Sequence, residues 1–312
     1  MRFLRAVLVP AGLLALLGAA LALRPDGLRE AALYATQNPA GLLAALAAYT
    51  AAFGLRALAW RPLASGGVPA SRLFSLVMAA LFLNHATPAK AGDLVRVYGL
   101  VRTGMAWSGA AASVALARLA DLAGLLVVLG CFWPFAGGAR WDLLAVPAAV
   151  AALATLVLLL FSRSRRLPLP GPLAAARRSL REVRPRALLT ATGLAALAWV
   201  LEAGILVYVL RALGVEVSLA GAVAATCFAV LVTAVPLAPG GLGTYEAGMV
   251  LVLAGLGVPA GTAFAAAAVS HALKYLYALG AAPFAAAEGA ASLRERSKDG
   301  RRTGADEARV EV

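Results

Sequence analysis

Charge is scarce in this chain of 312 residues. Asp, Glu, Lys and Arg together make up 14% of it, against about 25% in an ordinary soluble domain. A soluble fold of this length could not cover its surface with so few charges. No polar stretch is long enough to build a globular domain, which excludes a soluble Rossmann unit. Acidic residues are scarcer than basic ones, 15 against 28, for a net charge of +13. Cysteine occurs twice, as Cys131 and Cys227, each alone in an apolar run. That spacing offers neither a disulfide framework nor a zinc finger, and both are expected to be small core hydrophobes. The two histidines, His85 and His271, lack an HExxH spacing, and no Gly-x-Ser-x-Gly elbow occurs. No metal site, no cofactor and no catalytic set is therefore expected.

What the chain has in excess is apolar sequence: 62% of its residues are hydrophobic, where about 45–50% is usual. This pattern identifies an integral membrane protein. Its arginines bracket apolar runs, where a positive excess sets orientation and meets anionic lipid heads; nucleic-acid binding is not indicated. Spans are expected at Phe3–Leu23, Gly41–Trp60, Ser108–Phe135, Leu143–Phe161, Ala187–Leu210 and Gly261–Ala287. The first exceeds the roughly 7–15 apolar residues of a signal peptide and reads as an uncleaved anchor. Residues 24–39 read as a charge-balanced connector, and the tail from Glu288 as polar and disordered.

Two stretches are irregular. Leu73–Leu83 is apolar but would be only about 16 Å long as a helix, half of a hydrocarbon layer of about 30 Å. It runs into Pro88-Ala89-Lys90-Ala91-Gly92-Asp93-Leu94-Val95-Arg96 and a second short apolar piece. Later, Leu219–Val235 leads into Pro236-Leu237-Ala238-Pro239-Gly240-Gly241-Leu242-Gly243-Thr244-Tyr245-Glu246, followed by the short Ala247–Leu256. If residues 73–103 enter and return as a re-entrant hairpin, the basic loops share one side. Twenty cations then lie inside: Arg2, Arg5, Arg56, Arg61, Arg72, Arg102, eight arginines of residues 162–186 and six Lys or Arg of the tail. Only Arg24, Arg29, Arg140 and Arg211 lie outside, as the positive-inside rule requires. A second hairpin at 217–256 completes an all-α polytopic membrane protein with about six spanning helices and two opposed re-entrant hairpins, the logic of an inverted repeat. The transmembrane domain is expected over 1–287, with half-repeats at about 1–135 and 142–287 and a tail at 288–312.

Interrupted backbone at membrane depth must be buried in protein or line a wet cavity. The amides around Gly240, Gly241 and Gly243 would cradle an anion such as a phosphate, or the glycines merely permit close packing. Lys90, Asp93 and Arg96 lie three apart, on one helical face. The two cations would receive a lipid phosphate, or snorkel to the interface. Arg118 and Asp121 are an i,i+3 pair, either neutralising each other or serving a substrate. Glu202, Glu246, His271 and Lys274 complete a polar core in which Lys90, Arg96, Arg118 and Lys274 balance Asp93, Asp121, Glu202 and Glu246. Proton coupling through His271 or a carboxylate is compatible with this set.

At Pro88–Arg96, at Arg118-Leu119-Ala120-Asp121 and at Pro236–Glu246 the chain resembles the membrane domain of bacterial lysylphosphatidylglycerol synthases and the stand-alone flippase-like proteins related to it. The resemblance covers roughly residues 3–287. Departures are Lys90 and Asp93, where the family more often has Arg and Glu, and Ala117, where an acidic residue commonly stands. With the chain ending at Val312, the resemblance does not imply aminoacyl transfer. It implies movement of a lipid between leaflets.

The expected function is translocation of a phospholipid or lipid-linked head group in a bacterial inner membrane, with both termini cytoplasmic. Lys90, Arg96 and Arg118 would hold the phosphate, and the Gly240–Gly243 amides would offer a second anion site. Asp93, Asp121, Glu202 and Glu246 would balance the cations or meet an amine. Membrane lipids are the expected partners, with a lipid synthase or glycosyltransferase as a further one. The competing readings are a membrane-embedded lipid-modifying enzyme, a non-transporting partner of a glycosyltransferase, and a small-solute transporter.

Overall fold

The computed structural model describes residues 26–64, 66–87, 91–137, 141–145, 183–233 and 241–291, with isolated positions at 15, 18, 19, 22, 147, 148 and 151. The spans expected at Phe3–Leu23 and Leu143–Phe161, and most of the loop at 162–186, lie outside the described residues. So do Lys90 and Gly240.

All regular structure among the described residues is helical. In chain order the helices are α1 Gly27–Gln37, α2 Pro39–Trp60, α3 Ala70–Ala86, α4 Gly92–Val101, α5 Trp107–Phe132, α6 Pro185–Glu202, α7 Gly204–Ala212, α8 Leu219–Val232, α9 Thr244–Gly255 and α10 Ala260–Gly280. Local chemistry starts several of them. Asn38 caps α2 by accepting the Gly41 amide at 3.0 Å, with Pro39 in the first turn, where its missing N–H costs nothing. Ser218 caps α8 through the Gly221 amide. Leaving Ala203 as a turn divides the expected span at 187–210 into α6 and α7.

Among the described residues, three stretches are long and apolar enough to cross a membrane: Pro39–Leu63, Trp107–Phe135 and Pro185–Ala212. By contrast α3, α4, α8 and α9 have 17, 10, 14 and 12 residues. The last three are shorter than the roughly 20 residues a crossing requires. They come in packed pairs, α3 with α4 and α8 with α9. Close approach holds both pairs: a Cβ on Gly92 would meet the Ala80 carbonyl at 2.5 Å, and one on Gly248 would meet Ala229 Cα at 3.0 Å. Small residues at such contacts let helices gain dispersion contacts that lipid does not offer.

The pairs pack in a crossed manner. The second arm of each lies on the helix that follows it, α4 on α5 and α9 on α10. The first arm of each reaches the other half of the chain, α3 to α10 and α8 to α5. Long helices α2, α5 and α6 pack together alongside. Large apolar side chains such as Leu43, Leu94, Leu189 and Leu276 point outward, as suits a lipid-facing surface.

The structure corrects several expectations. Residues 27–37 of the expected connector are helical, packed against α7 and α10. The tail begins later than Glu288, since residues 282–291 are helical and Glu288 is buried. Its carboxylate accepts from Arg72 and, at 3.4 Å, from Arg102, tying this segment to the base of the α3–α4 pair. Cys227 is buried as expected but Cys131 is exposed: in a bilayer a small apolar thiol can face lipid as readily as core. Arg56 does not belong with the loop arginines, for its side chain is 10% exposed and sits in the interior.

Candidate functional site

Four helices bring charge to the centre of the bundle. Arg56 lies on α2, one turn before its end. Its Nε donates to Asp121 Oδ1 on α5 at 3.1 Å, and its Nη2 to Glu202 Oε2 at the end of α6 at 2.8 Å. Lys274 Nζ on α10 donates to the other oxygen of Glu202 at 2.8 Å. Glu202 therefore holds a separate cation on each oxygen, and all three side chains are buried. Charges taken out of water are tolerated when each is paired in this way. Aromatic faces add to the pairing. The Arg56 guanidinium is 4.3 Å from the Trp199 ring centroid, and Lys274 Nζ is 5.1 Å from that of Tyr245. Trp199 is fixed in turn by donating to the Asp121 carbonyl at 2.9 Å.

The break before α4 is organised differently. Asn84 on α3 accepts the Gly92 amide at 2.9 Å, which anchors the start of α4 to its partner helix. Asp93, next along, accepts from Arg118 Nε at 2.9 Å and lies equally close to Arg118 Nη2. These two side chains are 46% and 42% exposed. The expected Arg118–Asp121 pair is thus not formed: Arg118 turns to Asp93 on α4, and Asp121 to Arg56 on α2. Arg96 is left over. It is buried, its Nη1 stands 3.7 Å from Asp93, beyond hydrogen-bond reach, and its Nε has no hydrogen-bond partner among the described residues. It rests over the Trp60 ring at 5.3 Å, while Trp60 donates to Ser113. A buried guanidinium with unmade hydrogen bonds is costly, and an anion beside it would remove that cost.

The start of α9 is organised around Glu246. Gly243 has φ +80°, a conformation that glycine adopts without a Cβ penalty. Its amide, expected to help cradle an anion, instead donates to Glu246 Oε2 at 2.7 Å. Glu246 Oε1 lies 2.5 Å from His271 Nδ1 on α10. Glu246 is thereby held by the Gly243 amide and His271, and it does not line the cavity where an amine would sit. The His271 ring packs on Tyr245 and Tyr275, with centroids 4.4 and 5.0 Å away. His85 on α3 meets Tyr275 edge-on at 4.8 Å between ring centroids, and its Nδ1 lies 2.9 Å from the Leu81 carbonyl. A carbonyl can only accept, so that nitrogen carries the proton.

Between these groups lies a cavity of about 480 Å³. Arg56, Arg96, Arg118 and Lys274 line it together with Asp93, Asp121 and Glu202. Gly241 and His271 also reach it, so of the expected site residues only Gly243 and Glu246 stand behind the wall, while Lys90 and Gly240 are outside the described residues. Tyr49, Phe53 and Trp199 form an aromatic wall. A second space of about 20 Å³ separates Arg56, Arg96 and Asp121, the size that holds one water. Among the described residues no group of His, Cys, Asp or Glu is arranged to hold a metal.

Sequence reasoning missed Arg56, and a signal was present: it lies inside the apolar run 41–60 rather than beyond it. Nothing in the sequence singled out Trp199, Asn84 or Tyr245, because their roles depend on which helix lies opposite. Residues 3–281 match the family described as the lysylphosphatidylglycerol synthase TM region. No curated protein and no solved structure matches the chain.

Proposed function

We propose that this chain, which belongs to the lysylphosphatidylglycerol synthase TM-region family, binds the head group of an amphipathic lipid in its central cavity and moves it between leaflets. The observation that carries the proposal is Arg96: a buried guanidinium whose Nε has no hydrogen-bond partner among the described residues, facing a cavity large enough for a phosphate head group. Arg118 shares the lining and is half-exposed, beside the outward-facing Leu94. A head group would enter past Arg118 while its acyl tails stay against the apolar surface. The hydration lost on leaving water would be replaced by the guanidinium donors, which suit a phosphate bidentately.

The topology proposed with this function has about six spans, two opposed re-entrant pairs and an inverted repeat. Support comes from the shortness of α4, α8 and α9 and from the crossed packing of α3 on α10 and α8 on α5. The arginine distribution, even without Arg56, favours a cytoplasmic location for both termini in a bacterial inner membrane. A lipid synthase or glycosyltransferase that makes or uses the translocated lipid is the proposed partner.

The test is reconstitution into liposomes containing phospholipids with a fluorescent head group, followed by dithionite quenching. Wild-type protein is expected to quench beyond the outer-leaflet half, and Arg96→Ala to stop at that half. Quenching held at the outer half for every lipid with the wild type would sink the proposal. Mass spectrometry of the same vesicles for a modified lipid would then decide for an enzyme.

A further inference from the structure

We propose that the His271–Glu246 pair is a proton site that fills when an anionic head group occupies the central cavity, so that one proton accompanies each such head group. This rests on the head-group reading above and adds the coupling ion to it.

Charge balance is the first argument. Among the described residues, Arg56, Arg96, Arg118 and Lys274 face Asp93, Asp121 and Glu202 around the cavity, with Glu246 directly behind His271. Lys90 lies outside this count. Four cations oppose four carboxylates, so this set of described residues is neutral when His271 is uncharged. An anion entering it leaves one negative charge in a medium that screens poorly. Gaining one proton restores neutrality.

The second argument is where that proton can go. Glu202 is held by two cations, Asp121 by Arg56 and Asp93 by Arg118. Protonating any of them would break an ion pair. His271 is the exception. Uncharged, it donates from Nδ1 to Glu246 at 2.5 Å. Protonated on its other nitrogen, it keeps that bond and becomes the cation of an ion pair, with the Tyr245 and Tyr275 faces beside it, to which a cation is attracted.

The surroundings on every packed element agree. On α10 itself Lys274 is committed to Glu202. From α9 come Glu246 and Tyr245, and from α3 comes His85, whose Nδ1–H is committed to Leu81. From α7 and α1, Tyr208 and Tyr34 pair with each other, their rings tilted at 55°. Glu246 keeps its second oxygen on the Gly243 amide, so it is fixed at the start of α9 and cannot swing away. Because His271 lines the cavity, water there can deliver the proton. Imidazole is the side chain that titrates in the physiological range.

Linkage then fixes the sign. If protonation favours the anion, the anion favours protonation by the same factor, and affinity rises as pH falls. The limit is tenfold per pH unit for one proton.

The experiment is calorimetric titration of the full chain in detergent with dioctanoyl phosphatidylglycerol, in two buffers of different ionisation enthalpy. Dioctanoyl phosphatidylcholine is the zwitterionic control. About one proton is expected to be taken up per phosphatidylglycerol bound, and none with phosphatidylcholine. Affinity for the former is expected to rise as pH falls, by no more than tenfold per pH unit. His271→Gln is expected to bind without uptake, and Glu246→Gln to need a lower pH for it. Anion binding by the wild type without proton uptake overturns the inference and leaves the head-group reading standing. So does uptake that persists in His271→Gln. Should that variant not fold, the wild-type proton count and pH slope decide alone. Failure of both probes to bind overturns the inference and the head-group reading together.

Discussion

Helices α4 and α9 begin in a similar way, each after a proline-containing stretch and with glycine at or just before its first residue, yet their first turns end up in opposite states. Both carry an acidic residue where the helix dipole favours one. In α9 that residue, Glu246, is 1% exposed and folds back to satisfy the Gly243 amide and His271. In α4 the acidic residue is Asp93, half-exposed and shared with Arg118, while the Gly92 amide is satisfied from α3 by Asn84. One turn later Arg96 stays buried, 3.7 Å from Asp93 and with its Nε lacking a hydrogen-bond partner among the described residues. The start of α9 has paired its Gly243 amide and Glu246 locally, and the start of α4 has left a cation for something else to meet. The same local device can therefore close a structure or leave it open, depending on whether the acidic side chain reaches its own amide.

Between the two breaks lies the shared carboxylate of Glu202, and removing it should give the largest effect on stability. Glu202→Gln leaves Arg56 and Lys274 facing each other without their common anion. A loss of about 3–5 kcal/mol is expected, read as a lower unfolding midpoint in detergent. Adding Lys274→Gln should restore part of it. The closed break comes next. Glu246→Ala removes the cap of α9 and the partner of His271, for an expected cost of about 1–2 kcal/mol. Hydrogen exchange should show faster opening at residues 243–247 and little change at the start of α4.

Gly241→Ala should cost about 1 kcal/mol. Its φ of +79° strains an alanine, and the new Cβ would lie 2.9 Å from Thr233. The open break should respond least in stability and most in binding. Asp93→Asn loosens a half-exposed pair worth under about 1 kcal/mol, so the melting midpoint should barely move. Freed of Asp93, Arg118 and Arg96 should bind phosphatidylglycerol severalfold more tightly. If instead that affinity falls, Asp93 meets the ligand itself, and the contrast between an open and a closed break fails.

Much of this was legible beforehand, for identifiable reasons. The short apolar pieces around Pro88 and Pro239 marked both breaks, because a helix cannot continue through proline without losing a hydrogen bond. Asp93, Arg96, Arg118, Asp121, Glu202, His271 and Lys274 were each recognisable as charged or polar groups inside apolar runs, where such groups are expensive, and all of them line the cavity. Their partners were not legible. Spacing of three residues joined Arg118 to Asp121, but the bundle gave each a nearer partner on a neighbouring helix. Arg56, close to the end of its span, looked like an interface anchor.

The sequence by itself determined the membrane environment, the helical class, the two interruptions and most of the charged interior, since all of these follow from how costly a polar group is in hydrocarbon. Tertiary structure decided which charge meets which. Helical periodicity says what shares a face, whereas pairing depends on the helix brought opposite. Only the packing of α2, α5, α6 and α10 around one space put Arg56, Asp121, Glu202 and Lys274 in a single chain and left Arg96 beside them with no carboxylate within hydrogen-bond reach among the described residues.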